Sequence, residues 1–298
     1  MSLEMTFNEG QRRFALRLDP LLVRPSDDGL FPAGSVIRTV YADASATLGS
    51  GRALLLQLAH PAIAAGVHDH SDYENRPLDR LFGTLFAVSA VVFGSREEAE
   101  QIGSAIHRVH TGVVGPGYRA LDPELLCWVN ATLLGTAAML YQRMYHRLSP
   151  DELDQLAADS CLVGEVFGCP VSEQPGTWPE FRTYWDRAVG ELDVTDPARR
   201  VARSLLSGRG LPARPAWLAP LAVARAVTAA TLPERIRDGY GLPWRTRDRA
   251  LAAAALGGSK ALLPRTPLRW RQLGPELFRP PPHPLSRPAG PPSASPDQ

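Results

Sequence analysis

Cysteine and lysine are both scarce in this chain of 298 residues, which has three cysteines and a single lysine, Lys260. The cysteines are odd in number and form no Cys-x-x-Cys pair, so the sequence predicts reduced, mostly buried thiols. Acidic and basic residues nearly cancel, leaving a formal net charge of +1. This balance provides no overall basic field, so no nucleic-acid partner is expected.

The chain also lacks an uninterrupted apolar run of the roughly 20 residues that a membrane-spanning helix needs. Its longest apolar runs, Ala53–Val67 and Leu81–Gly94, are both interrupted by polar residues or glycine. The first residues contain no apolar segment of signal-peptide length. A cytoplasmic location without a membrane span is therefore expected, and the oligomeric state stays open.

Signals for β-strands are missing as well, because apolar and β-branched residues do not alternate and no Asn-Gly hairpin turn occurs. Signals for helix starts are frequent. Ser95 with Glu98 predicts a capping box, and Asp122 before Pro123 predicts an N-cap followed by a first-turn proline. The sequence therefore predicts an all-α fold.

The predicted helices form a single multi-helix domain over residues 35–265. Its first helical region ends near Val67, and Pro61 within that region must end, kink or begin a helix. A polar loop is expected to follow, over residues 68–77. An N-terminal arm, residues 1–34, and a Pro-rich C-terminal tail, residues 266–298, flank the domain, and the tail is predicted to be partly disordered.

Two polar pairs stand out in apolar, helix-patterned sequence. Arg80 and Thr84 are four residues apart, and His107 and His110 are three apart, so each pair shares one helix face. Burying such groups unpaired costs roughly 1–3 kcal/mol each. The four residues therefore indicate a polar site inside an apolar shell, where an imidazole could bind iron.

Each of these residues has a plainer interpretation. The two histidines can lie on a solvated face beside Arg108, and Arg80 can form a salt bridge with a nearby acid. The Thr84 hydroxyl can bond its own backbone. The alternatives stay open on spacing alone.

The remaining histidine patterns point to structure more than to chemistry. His60, before Pro61, is expected to tie down a turn, and His68 and His70 straddle an acid without a matching ligand cluster elsewhere. The His-Arg-Val-His order is not the His-Glu-x-x-His of a zinc protease, and no P-loop or Gly-x-Ser-x-Gly motif occurs. The glycines of residues 112–117 are interpreted as a helix-breaking turn.

Several phrases in order resemble the oxygenase family of rubber oxygenase (latex clearing protein) and the mycophenolic-acid pathway oxygenase, long catalogued as a bacterial domain of unknown function. The phrases are QLAHPAIAAGVHDHS (57–71), RLFGT (80–84), VFG (92–94), IHRVH (106–110), YRALDPELLCWVNATL (118–133), LSPDELD (148–154) and GLPW (241–244). The resemblance covers about residues 35–265.

That resemblance implies a helical fold with a globin-like core that holds one haem b. His110 matches the axial iron ligand, and His107 matches a second functional histidine. Arg80 and Thr84 match a polar pair near the haem, where Arg80 could pin an anionic haem group. An apolar pocket would admit O2 and a hydrophobic substrate, and the haem would carry the oxygen chemistry.

The chain departs from the family at two positions: Gly83 replaces a lysine of the rubber oxygenase, and Asn130 stands where relatives commonly have histidine. The sequence predicts a haem-dependent oxygenase that acts on a hydrophobic, unsaturated or isoprenoid small molecule. Two alternatives stay open, a haem-free helical protein that binds an apolar ligand without catalysis and a helical interaction protein.

Overall fold

The computed structural model describes the backbone of residues 26–71, 77–208 and 214–267, and their side chains except those of residues 77–82 and 214–217. The predicted arm therefore lies outside the described residues up to residue 25. The predicted tail lies outside them beyond residue 267. All further statements concern the described residues.

Helices make up almost all regular structure in this part of the chain. The α-helices are α1 Val36–Ala42, α2 Ala44–Leu48, α3 Ser50–Leu58, α4 Pro61–His70, α5 Pro77–Phe93, α6 Arg96–His110, α7 Pro123–Met144, α8 Pro150–Val166, α9 Trp178–Glu191, α10 Asp196–Ser207, α11 Arg214–Thr231, α12 Glu234–Gly239 and α13 Thr246–Leu262. Short 3-10 turns lie between α8 and α9, at Val171–Glu173, and after α13, at Leu263–Arg265. The predicted all-α class is confirmed.

The first predicted helical region is divided into four short helices. Asp43 adopts an extended conformation that ends α1, and its carboxylate caps α2 by accepting from the Ser45 amide at 2.8 Å. Pro61 occupies the first turn of α4, one of its predicted positions. That helix continues to His70 and α5 begins at Pro77, so the predicted loop over residues 68–77 is wrong at both ends, while residues 72–76 lie outside the described residues.

The later helices begin at the predicted signals. The Ser95 side chain and the Glu98 carboxylate form a reciprocal capping box at the start of α6. The Asp122 carboxylate caps α7 by accepting from the Glu124 amide. Both starts depend on side chains within three residues, and they are therefore visible in the sequence alone.

The one two-stranded hairpin lies in the glycine-rich turn after α6. Strands β1 Val114–Gly115 and β2 Tyr118–Arg119 pair antiparallel. Gly117 has a φ of +78°, a left-handed conformation that glycine adopts without strain. The predicted helix-breaking turn is confirmed, and the hairpin within it was not predicted.

Helix α7 forms the centre of the fold and packs against α2, α3 and α8. It is the one described helix long and apolar enough to cross a membrane, and 67% of its most apolar window is buried by the rest of the protein. The Trp128 indole donates to the Leu56 carbonyl at 3.1 Å, which joins α7 to α3. This burial is typical of a core helix.

The three cysteines, Cys127, Cys161 and Cys169, are buried and free, as predicted. Burial raises the pKa of the Cys161 thiol to about 11. Burial also raises the pKa of the Cys169 thiol, to about 12. The thiols therefore remain protonated at neutral pH.

Candidate functional site

His110 is the last residue of α6 and lies on the inner stripe of that helix. The stripe contains Ala99, Ile102 and Gly103, all buried. A Cβ added at Gly103 would collide with the Val166 carbonyl oxygen, so α6 approaches the end of α8 closely. His110 follows Gly103 by two helical turns and is half-buried, with its Nδ1 atom fully buried.

His107 is exposed, although it lies on the same helix. His107 lies about 60° around the helix axis from His110, on the side away from Ile102, and this direction is off the inner stripe. The prediction that both imidazoles face an apolar interior is therefore wrong for His107. It lies next to His110 at the rim of the helix.

Arg80 and Thr84 both lie on α5, as predicted. The Arg80 side chain is outside the described residues, and Thr84 is exposed. Continuous burial on α5 begins one residue after the half-buried Leu85, at Phe86. The expectation of a buried Thr84 is therefore wrong, because among the described side chains of α5 continuous burial begins only beyond this residue.

Gly83 has open space where a side chain would begin. Among the described residues, no heavy atom beyond its chain neighbours and its own helix backbone lies within 4 Å of a Cβ placed there. The departure from the family's lysine at this position is therefore not imposed by crowding.

Asn130, the second position at which the chain departs from the family, is a buried residue that joins three segments. Its amide nitrogen donates to the Ser160 carbonyl at 2.8 Å and to the Gln174 amide oxygen at 3.0 Å. Asn130 also lines a cavity of about 10 Å³, which is room for about one water molecule. The residue therefore ties α7 to α8 and to the turn before α9.

His60 precedes α4 as its N-cap residue and is half-buried, with Nδ1 buried. Desolvation lowers its pKa, and the negative charges of Glu124 and Asp122 oppose this effect. The neighbouring Ala59 carbonyl accepts from the Asp193 amide at 3.1 Å. These contacts are consistent with the predicted structural role.

A polar cluster that the sequence did not predict joins the end of α4 to the hairpin. Tyr118 is a buried residue whose hydroxyl donates to the carboxylate of the exposed Asp69 at 2.7 Å. The Nε2 atom of His70 lies 3.1 Å from that hydroxyl and 3.2 Å from the Val114 carbonyl oxygen. Burial and the Asp69 carboxylate both raise the Tyr118 pKa. The His-Asp-His phrase can be recognised in the sequence, but Tyr118, the partner of Asp69, lies 49 residues further along the chain.

The histidine at the end of α6 can be compared with what a haem requires of its protein. Among the described residues, no group of three or more His, Cys, Asp or Glu side chains could hold a metal ion. Haem iron already has four porphyrin nitrogens and needs a single imidazole, which usually binds through one ring nitrogen while the other faces the protein. His110, with a buried Nδ1 in a half-buried residue, fits that requirement.

Comparison with known proteins defines the class to which this fold and site belong. Residues 38–261 match the family described as "ER-bound oxygenase mpaB/B'/Rubber oxygenase, catalytic domain". This match covers most of the chain, and the protein belongs to that family of oxygenase catalytic domains. The resemblance inferred from the ordered phrases is confirmed.

Among individual proteins, the chain is similar to an uncharacterized protein of Mycobacterium bovis (strain ATCC BAA-935 / AF2122/97) and to one of Mycobacterium tuberculosis (strain ATCC 25618 / H37Rv). Each is 26% identical over 170 residues, which cover 53% of this chain and 66% of the relative. The chain thus spans slightly less than two thirds of these relatives. No solved structure matches the chain.

Proposed function

We propose that this protein is a haem b-dependent oxygenase that uses O2 to oxidise a hydrophobic small molecule of the unsaturated or isoprenoid class. The observation that carries the proposal is His110, held half-buried on the inner stripe of α6 with Nδ1 turned away from solvent. Membership of an oxygenase family supports it. The three buried, free cysteines favour a cytoplasmic location, which belongs to the same proposal.

Four residues have assigned roles in this proposal. His110 would hold the haem through its iron, and the Arg80 guanidinium would pair with an anionic group of the haem. Thr84 and His107, both exposed on neighbouring helices, would provide hydrogen bonds at the rim of the site. When bound, the haem supplies the oxygen-activating chemistry.

The apolar surroundings would orient the substrate and limit access of water. Phe86, Ala90 and Val91 of α5 are buried behind the exposed turn that carries Thr84. This gradient from polar rim to apolar interior suits a substrate with few polar groups.

Reconstitution with haem tests the proposal. The purified protein should acquire a Soret band in the visible spectrum and consume O2 in the presence of an apolar alkene. His110→Ala should lose haem retention while its far-ultraviolet circular dichroism stays that of the wild type. His146→Ala, a change at an exposed histidine beyond α7, is the matched control and should retain haem.

Two outcomes would contradict the proposal in different ways. A wild-type protein that shows no Soret band after reconstitution would refute the cofactor. Full haem retention by His110→Ala would refute the ligand and leave the family membership untouched.

A further inference from the structure

We infer that Tyr118 is a positioning residue for His110, which it holds in place through the turn of residues 111–120. This inference rests on the proposed role of His110 as a ligand. It also assigns a function to Asp69 and His70, which take no part in the proposed binding of haem.

The latch is the hydrogen-bonded cluster at the end of α4. Because the Tyr118 hydroxyl donates to Asp69 at 2.7 Å, its lone pairs remain available to accept. His70 Nε2, which also faces the Val114 carbonyl oxygen at 3.2 Å, can therefore carry a hydrogen and donate to both oxygens. The phenol is thus held from two sides by consecutive residues of α4.

Packing presses the same phenol ring against the helix. Tyr118 is 7% exposed, and its ring atoms lie 3.4 Å from the position where Gly66 would carry a Cβ. A methyl group of Val113 lies 3.7 Å from the same position. Tyr118 and Val113, near the two ends of the turn, therefore both pack against α4 around Gly66.

A continuous set of backbone hydrogen bonds connects the latch to His110. Tyr118 pairs with Gly115 in the hairpin, and the Ala120 amide donates to the Val113 carbonyl at 3.0 Å. The Val113 amide in turn donates to the carbonyl of His110 itself at 2.9 Å.

The end of α6 therefore depends on the turn. The last carbonyls of a helix have no partner within it and fray unless other groups bond them. Here the Val113 amide satisfies the His110 carbonyl, and Val113 is fixed by the latched hairpin. Release of Tyr118 should loosen the last turn of α6 and broaden the directions that the His110 ring can take.

Tyr118→Phe tests the inference, because it keeps the ring and removes only the hydroxyl. In the haem-free protein, the amides of Val113 and Ala120 should exchange with solvent at least about 10-fold faster, and the imidazole signals of His110 should shift in NMR spectra. Tyr240→Phe is the matched control. It also removes a buried phenol hydrogen bond, to the Leu55 carbonyl at 2.7 Å, but it should leave these signals unchanged.

The haem-loaded protein gives a second readout that stability alone would not move. Tyr118→Phe and Asp69→Ala should each shift the electron paramagnetic resonance g values of the haem, and the double variant should shift them no further than either single change. Such non-additivity is expected when two residues act through one bond.

Each remaining outcome decides a separate question. Faster exchange with unchanged His110 signals would overturn the positioning role and leave Tyr118 as a purely structural residue. Unchanged exchange would overturn the latch itself. A wild-type protein that binds no haem would refute the proposed cofactor, while the haem-free measurements would still decide whether Tyr118 controls the His110 ring.

Discussion

At the scale of single residues, two glycines on neighbouring helices show how differently the same residue type can be used. Gly83 faces open space, whereas Gly103 lets α6 meet the Val166 backbone of α8. Both are helical, so neither is required by backbone conformation. Only the surroundings distinguish them, and these are not visible in the sequence.

Gly83→Ala should therefore stabilise the protein by about 0.5–1 kcal/mol, because alanine loses less chain entropy in a helix and meets no neighbour here. Gly103→Ala should destabilise it by about 1–3 kcal/mol, because its methyl group would displace α8. Urea unfolding of the two variants beside the wild type measures both effects. Equal shifts of the same sign would contradict the packing described for α6.

Arg52 is a buried cation with three interactions. Its guanidinium donates to the Thr136 hydroxyl at 2.5 Å and to the Thr231 carbonyl at 2.9 Å, and it lies 5.1 Å from the centre of the Trp185 ring. Burial lowers its pKa to about 10.

Arg52→Lys should destabilise the protein by about 1.5–3 kcal/mol, because one ammonium cannot reach both acceptors and stack on the ring at the same time. Arg143→Lys, at an exposed position of α7, is the control and should change the unfolding free energy by less than about 0.5 kcal/mol. A fully stable Arg52→Lys protein would show that the planar guanidinium is not needed.

At the scale of elements, helix starts and the glycine-rich turn after α6 could be predicted, but the division of the first helical region could not. Ser95, Asp122 and Pro61 act through neighbours in the chain, so local sequence was sufficient for α4, α6 and α7. The short helices α2 and α3 pack against α7, and the Trp128–Leu56 bond between α7 and α3 joins residues 72 apart in the chain. The Asp69–Tyr118 hydrogen bond was not predicted, because its two residues are also far apart in the chain. The role proposed for His110 came from the family resemblance.

The capping box at the start of α8 should make this helix sensitive to acid. The Ser149 backbone amide and hydroxyl both lower the pKa of Glu152. Its stabilisation is therefore complete above the ordinary carboxyl pKa and is lost as the pH falls through the lowered value.

Glu152→Gln should accordingly lower the melting temperature at neutral pH, and the difference from the wild type should shrink towards pH 3. Glu165→Gln, an exposed change at the other end of α8, is the control. A difference that persists in acid would mean that the charge of Glu152 does not contribute.

At the scale of the whole molecule, the buried thiols report on opening of the fold. Because burial raises the pKa of Cys161 and Cys169 to about 11 and about 12, little thiolate is present at pH 8. Iodoacetamide should modify the native protein on the order of 100-fold more slowly than the urea-unfolded chain, as peptide mass spectrometry would show. Rapid alkylation of the native protein would contradict their burial.

The contacts of α3 have a consequence for the order of synthesis. Arg52 donates to the Thr231 carbonyl, 179 residues further along the chain. The Leu55 carbonyl accepts from the Tyr240 hydroxyl, 185 residues further along. While a ribosome is still translating the residues up to Tyr240, the apolar α7 has already been synthesised without its later neighbours. The nascent chain is therefore prone to self-association until these neighbours have been translated.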